Sequence, residues 1–286
     1  MAAEKADLVQ EIPLDRLHPF RDHPFKVLDD ENMQRTLESI AQFGVLVPGI
    51  ARPLPDGSYE MIAGHRRLRA CSLLGLRTMP VIVREMDDDA AVILLVDSNL
   101  QRENILPSER AFAYKMKLEA LKHQGERTDL TSSQVGTKFS APELVGKKAG
   151  LSRNQVYRFI RLTELIPELL TRVDEEKFAF NPAVEISFLT PEEQEIFMEA
   201  MDYYEVTPSL SQAQRLKKFS QEGKCTREVL FSVMGEEKKA AWDRVTLKSD
   251  VLRKYFPRSY TPQQMENTII RLLEAWHKKR HLEQER

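Results

Sequence analysis

The sequence predicts an α+β chain in three parts: a small mixed domain over residues 1–106, an all-α helix-turn-helix domain over 107–190 and a helical C-terminal region over 191–286. Three observations predict it. Before residue 106, short apolar and β-branched runs bounded by Gly, Pro and Asp alternate with stretches of helical period. From Ala141 onward the pattern is helical almost to the end. Charge is unevenly spread: 12 Lys and Arg stand against 17 Asp and Glu over 1–106, but 11 against 5 over 107–161, within a net charge of −2. A basic middle between acidic flanks suits a local polyanion footprint, although charge alone also fits a solvated helical face.

Each element has its own signal. Glu11–Leu14 reads as a short strand. Asp29–Gln42 reads as an amphipathic helix, because Met33, Leu37, Ile40 and Ala41 recur at helical spacing, and Gly44 suits the left-handed position just past its end. Gly49–Pro53 and Tyr59–Ala63 flank the turn-type stretch Leu54-Pro55-Asp56-Gly57-Ser58 and predict a hairpin. Arg66–Leu74 is the next helix, stopped by Gly75; Thr78–Arg84 is a strand, and Asp88–Asn99 a further helix. Pro107 is tolerated in the first turn of a helix running to residue 123. The polar stretch Gly125–Ser140 predicts an exposed linker. Thr190-Pro191-Glu192-Glu193 is a helix start, with Thr as N-cap and Pro at the first position. A last helix over Pro262–Arg280 places Met265, Ile269, Leu272, Leu273 and Trp276 on one face, as a core-facing or a dimerisation helix would.

Composition excludes several classes. Hydrophobic residues make up 42% of the 286, enough for packed cores. Cys71 and Cys225 are too far apart to suggest a disulfide framework or zinc site, and the six His show no metal-ligand spacing. No basic-then-apolar leader opens the chain, and the longest apolar run, near Ala90–Val96, is too short to span a membrane. The expectation is a cytoplasmic protein with no membrane partner.

Two short motifs carry phosphate chemistry. In Gly64-His65-Arg66-Arg67-Leu68-Arg69-Ala70, the glycine lets a ligand approach the backbone closely, and Arg66 and Arg69 share a helix face. Free N–H groups and the dipole at a helix start attract anions, and guanidinium forks bind phosphate oxygens bidentately. The bland alternative is ion pairing to Asp87–Asp89. In Asn99-Leu100-Gln101-Arg102-Glu103-Asn104, Asn99 and Arg102 also lie three apart, one offering an amide oxygen and the other a cation. An amide oxygen beside a triphosphate suits Mg²⁺.

The stretch Glu143–Ala149, Gly150 and Ser152–Leu165 reads as a helix-turn-helix. Gly146 falls where the two helices cross, Val156 and Phe159 fall inward, and Ser152 is the N-cap. Ser152, Arg153, Asn154, Tyr157 and Arg158 then face outward to reach base edges, while Lys147, Lys148 and Arg161 suit phosphate contacts. A plain helical hairpin would share this pattern; the local basic charge favours DNA.

Ile12-Pro13-Leu14, Gly44-Val45-Leu46-Val47-Pro48, Gly64-His65-Arg66-Arg67-Leu68-Arg69-Ala70 and Asn99-Leu100-Gln101-Arg102-Glu103-Asn104, in that order, resemble the ParB family of partition proteins, from about Glu11 to about Leu165. The resemblance implies a ParB/sulfiredoxin-like N-terminal fold, and a protein that binds CTP and Mg²⁺, loads at a palindromic centromere-like DNA site and closes into a sliding clamp. It implies nucleotide contacts from Gly64, His65, Arg66, Arg67, Arg69, Asn99 and Arg102, with Asn99 also a Mg²⁺ ligand. It further implies a homodimer, a ParA-type ATPase partner and nucleoid or plasmid association.

Three departures bear on the chemistry. Ser98 stands where the family usually has Glu, and a hydroxyl does not replace a carboxylate's charge, which argues against CTP hydrolysis. His65 replaces the usual Glu of the phosphate motif. The family's first nucleotide segment is loosely matched by His23–Asp29, with Lys26 as its cation. The rival readings are a helix-turn-helix transcriptional or plasmid regulator without hydrolysis, a nuclease, and a sulfiredoxin-type enzyme. The last needs a reactive Cys before the His-Arg pair, where this chain has Gly64.

Overall fold

The computed structural model describes residues 8–102, 105–129, 140–236, 252, 254–257 and 259–284, without the side chains of 125–129, 148 and 277–284. The chain divides into two compact units, Met1–Glu236 and Glu237–Arg286.

The first unit opens with a five-stranded mixed sheet. β1 (Val9–Pro13), β2 (Leu17–His18), β3 (Gly49–Pro53), β4 (Tyr59–Ala63) and β5 (Thr78–Val83) lie in the order β1-β5-β3-β4-β2. β3 and β4 form the expected antiparallel hairpin; β1 runs antiparallel to β5, whereas β5 and β3, and β2 and β4, are parallel pairs. Successive strand residues point to opposite faces. Met61 therefore joins one core with Met33 and Ile40 of α1 (Glu31–Phe43) and Ala70 and Cys71 of α2 (His65–Leu73). Its neighbour Ile62 joins a second core with Ala91, Leu95 and Val96 of α3 (Asp88–Asn99) and Ala113 of α4 (Pro107–Asp129).

Capping fixes where these helices begin. Asp30 accepts from Met33 N at 2.8 Å, so α1 starts at Glu31 rather than Asp29. Asp87 caps α3 through Ala90 N at 2.8 Å. α4 runs to Asp129, past the expected end of the helix. One glycine costs a helix only about 1 kcal/mol, and Glu126 and Arg127 are good helix formers, so Gly125 does not end it. The rest of the expected linker, 130–139, lies outside the described residues.

α5 (Ala141–Ala149) and α6 (Arg153–Arg161) form the helix-turn-helix. α5 begins two residues earlier than expected, because Glu143 reaches back to accept from Ser140 N at 2.8 Å and ties down the first turn. α6 ends at Arg161, a 3₁₀ turn follows over Leu162–Glu164, and Leu165 and Ile166 are extended, the latter as Pro167 after it requires. Five further helices, α7 (Pro167–Asp174), α8 (Phe180–Ile186), α9 (Pro191–Tyr204), α10 (Leu210–Gln221) and α11 (Arg227–Met234), share one core around Leu169, Phe178, Ile186, Phe197, Leu216 and Leu230. Thr190 caps α9 as expected.

The second unit holds a helix over Pro262–Gln284, in which Leu272, Leu273 and Trp276 are exposed. Among the described residues, no helix is long and apolar enough to cross a membrane.

The crossing of α5 and α6 depends on Gly146, where an added Cβ would lie 2.4 Å from Leu151 O and 3.4 Å from Val156 Cγ2. Gly146→Ala is expected to cost about 1–3 kcal/mol through overpacking. Denaturant unfolding checks this, and an unchanged midpoint would refute the close crossing.

Candidate nucleotide and DNA sites

α2 begins at a contact between two glycines. Gly64 has a φ of +108°, and a Cβ there would sit 3.2 Å from Gly49 Cα and 3.0 Å from Arg67 Nη2. A Cβ on Gly49 would in turn meet Met61 Cε at 2.8 Å. The helix start thus lies directly on strand β3. Gly64 has no side chain to cap the helix, so the first-turn N–H groups and the positive end of the dipole stay available to an anion.

The side chains of this turn divide by direction. His65 faces inward and is buried; its Nε2 accepts from Phe20 N at 3.1 Å, and the ring also bonds the backbone of Met61. Burial, then the neighbouring His23 and Arg102, lower its pKa from 6.5 to about 3, so the ring is neutral. Arg66 and Arg69 face outward on the same side, where Arg66 Nη2 lies 2.6 Å from Asp30 Oδ1 and Arg69 binds Asp29 through Nη2 at 2.8 Å and Nε at 3.3 Å. The Arg69 hydrogen bond lowers the Asp29 pKa; that of Asp30 is lowered first by Met33 N and then by Arg66.

The ion-pair partners of the arginine cluster are therefore Asp29 and Asp30, not Asp87–Asp89. Asp88 instead pairs with Arg52 at 2.6 Å, and Asp89 faces His123 at 3.2 Å. Arg67, on the face aligned with Cys71, donates to Val47 O and to Pro48 O. Burial lowers its pKa, and among the described residues no carboxylate lies within ion-pair distance of it.

The second motif meets the first. Asn99 is buried at 4% exposure; its Nδ2 donates to Leu95 O at 2.8 Å, and Ser98 Oγ donates to the same carbonyl at 2.9 Å. Arg102 N donates to Asn99 O at 3.1 Å, and the guanidinium lies over the Phe25 ring at 5.8 Å. Close packing and then the charge of Arg66 lower the pKa of Arg102, so the two motifs lie within electrostatic reach of each other. Glu103 and Asn104 lie outside the described residues.

Lys26 enters differently: its backbone N donates to Glu109 Oε1 at 2.7 Å while its side chain is exposed. His23, which metal-ligand spacing did not single out, sits in the same cluster, its ring centroid 4.0 Å from that of His65. Among the described residues, no group of three His, Cys, Asp or Glu could hold a metal.

On the helix-turn-helix, Val156 is fully buried and Phe159 packs against Tyr114 at a centroid distance of 5.6 Å. Ser152 caps α6, and Arg153, Asn154 and Tyr157 are exposed on it, with the Arg153 guanidinium 5.7 Å from the Tyr157 ring centroid. Lys147 is exposed on α5, and the side chain of Lys148 lies outside the described residues. Arg158 and Arg161 take another course. Arg158 Nη2 donates to Asn181 Oδ1 at 2.6 Å, over the Phe180 ring, and Arg161 Nη2 donates to Ser187 O at 2.6 Å, over the Phe188 ring. Both brace α6 against α8.

Comparison with known proteins gives these sites a context. Residues 2–100 match the family model of the ParB N-terminal domain. The chromosome-partitioning protein Spo0J of Thermus thermophilus is 31% identical over 186 residues, 65% of this chain and 62% of that protein. A nucleoid occlusion protein of Listeria monocytogenes is 30% identical over 165 residues, 58% of this chain and 53% of that protein. The chain thus spans less than two thirds of the length of these curated relatives. A solved structure of C-terminally truncated ParB from Caulobacter crescentus, complexed with CTP-γ-S, is 29% identical, covers 63% of this chain and 92% of that one, and superposes with a TM-score of 0.32.

The His65 environment makes a direct prediction. Its protonation is disfavoured in the folded state, so the stability this ring contributes is present above about pH 6.5 and is lost as pH falls towards 3. The His65 imidazole should not titrate between pH 5 and 8 by NMR; a midpoint in that range would contradict the assignment.

Proposed function

We propose that this chain, whose residues 2–100 match the family model of the ParB N-terminal domain, is a sequence-specific DNA-binding partition protein that binds a palindromic site and is gated by CTP and Mg²⁺. The nucleotide would be held over 1–106 and DNA over 107–190, with the region 191–286 contributing to a homodimer. The observation that carries the reading is the approach of Arg66 and Arg102, from two sequence-distant motifs, beside an uncapped helix start that also bears Arg67. Of these, Arg67 and Arg102 have no carboxylate within ion-pair distance among the described residues. Arg67 is half-buried and Arg102 exposed, and guanidinium groups not paired with a carboxylate favour a polyanionic ligand. The Gly64–Gly49 contact adds a stretch of backbone open to close approach.

Residue roles follow from these placements. Arg66, Arg67, Arg69, Arg102, Lys26 and the backbone at Gly64 and His65 would bind the phosphate chain; the His65 side chain instead holds the Phe20–Arg21 segment in place. Asn99 would contribute one oxygen to Mg²⁺, an ion held mainly by the phosphates, which would neutralise charge on the triphosphate. Ser98 is bonded to its own helix and is no base, so the reading does not include hydrolysis. Ser152, Arg153, Asn154 and Tyr157 would read the major groove, with Lys147 and Lys148 on phosphates. A ParA-type ATPase would be the partner at the DNA locus. Two features support the rival, a helix-turn-helix regulator on the same scaffold without CTP hydrolysis. One is Ser98; the other is that a relative of comparable identity carries a nucleoid occlusion name rather than a partition one.

Calorimetry with CTP, ATP and GTP in Mg²⁺ tests the nucleotide half. Arg67→Ala should weaken CTP binding about 10- to 100-fold, as loss of a charge-assisted hydrogen bond of about 1.5–3 kcal/mol predicts. No binding by the wild type, with DNA affinity intact, would refute the gate and leave the rival; phosphate release on the same samples tests whether Ser98 leaves any hydrolysis. For DNA, Arg153→Ala should cost about 1–3 kcal/mol of specific affinity with the fold intact. Arg158→Ala should lower the melting temperature, because it unpins α6 from α8. Equal effects of the two on melting would refute that division of labour.

A further inference from the structure

One face of α9 is acidic along its length and ends in exposed aromatic rings. The helix carries Glu192, Glu193, Glu195, Glu199 and Asp202 and no Lys or Arg. Glu195, Glu199 and Tyr203 recur every fourth residue, so they form one stripe, about 12 Å from end to end at 1.5 Å per residue. All three are exposed, whereas Phe197, Ala200 and Met201 on the other side are buried. Three of the carboxylates are bound within the fold: Glu193 accepts from Thr190 N and Ser220 Oγ, Asp202 from Arg172, and Glu199 pairs with Arg227. Glu195, and Glu205 just past the helix end, pair with no cation among the described residues. Like charges one turn apart repel, and the dipole opposes a carboxylate at a helix C-terminus, so a cation on this face would be stabilising.

The aromatic end favours a particular cation. Tyr203 is 73% exposed, and its ring centroid lies 4.9 Å from that of Tyr204 and 5.8 Å from that of Phe231 on α11. Tyr204 rests on Gly235, where a Cβ would lie 2.8 Å from the Tyr204 Cζ, so the cluster is packed from below and its outer ring is held in place. The same surface already binds one guanidinium from within the chain. Arg227 Nη1 lies 2.6 Å from Glu199 Oε2, and its Cζ lies 4.9 Å from the Phe231 centroid. A carboxylate of α9 and a ring of the cluster thus hold one arginine between them. Glu195 and the Tyr203 ring offer the same two chemistries, and among the described residues neither holds a cation. Exposed patches of this kind mark interaction surfaces.

We propose that the outward face of α9, with Tyr203 at its end, docks an arginine-rich segment of a partner protein. One arginine would stack on Tyr203 and another would pair with Glu195. A separation of about 12 Å suits cations at i and i+4 of an extended peptide, or at i and i+8 of a helix. Arginine is favoured over lysine, because its planar guanidinium stacks on a ring as well as bonding a carboxylate. DNA does not suit this face, since its phosphates would meet carboxylates.

The test is fluorescence anisotropy of labelled oligo-arginine and oligo-lysine peptides of equal length, titrated with the full chain at low and at physiological salt. Oligo-arginine should bind more tightly than oligo-lysine. Tyr203→Ala should weaken oligo-arginine binding about two- to fivefold and abolish that preference. Adding Glu195→Gln should extend the loss to about five- to twentyfold. Glu38→Gln, which removes an equal charge from the exposed side of α1, should leave binding unchanged. All three side chains are exposed, and circular dichroism checks that the variants fold. Equal binding of the two peptides, a comparable loss in Glu38→Gln, or no binding by the wild type overturns the proposal. Sedimentation of the same proteins without peptide checks the occupant: self-association that disappears in Tyr203→Ala gives the face to a second copy and overturns the assignment to a partner.

Discussion

The first unit is organised around a place where two pieces of backbone touch with no side chain between them. Gly64 and Gly49 let the start of α2 rest on β3, at a spacing a single methyl group would disturb. The side chains at the start of α2 take their directions from that contact. It turns His65 into the sheet, where it binds Phe20 N, and turns Arg66 and Arg69 out towards α1. It also brings Arg67 against the carbonyls of Val47 and Pro48. The local charge pattern follows from packing.

The segment from Phe20 to Asp30 gains its order from these contacts. It contains no helix or strand, yet it is tied at Phe20 N by His65, at Arg21 N by Glu60, at Lys26 N by Glu109 and at Asp29 and Asp30 by two arginines. Exposed ion pairs of this kind contribute little individually, about 0–1 kcal/mol. The bonds to buried acceptors are the firmer ones, because leaving a buried Glu or His unpartnered would be costly.

Much of this was legible in the residues. Periodicity located the helices and the hairpin, and the turn chemistry at Asp56-Gly57 and the cap at Thr190 read directly. The arginine motifs were visible because a glycine followed by clustered arginines at a helix start suits an anion. Three matters escaped. The short parallel strand β2 is two residues long and gives no pattern of its own. The partners of Arg66 and Arg69 lie 36 and 40 positions away, so proximity along the chain pointed to the wrong acidic run. Arg158 and Arg161 look outward on a helical projection of α6 alone, and only the packing of α8 shows them to be braces.

The helix α4 contributes to three hydrophobic clusters at once. Ala113 and Met116 pack into the core beneath the sheet, Tyr114 and Leu118 pack with Val145 and Val156 of the helix-turn-helix, and Ala111 joins the core of α7–α11. A modular exchange that cut the chain just before Pro107 would hand all these faces to one parent. The other parent's sheet would then meet a surface it had not evolved with. Chimeras between relatives should therefore be joined on the far side of α4, or should carry its sheet-facing residues with the sheet. The core beneath the sheet and the core of the helix-turn-helix thus meet in one helix, so neither can be repacked without regard to the other.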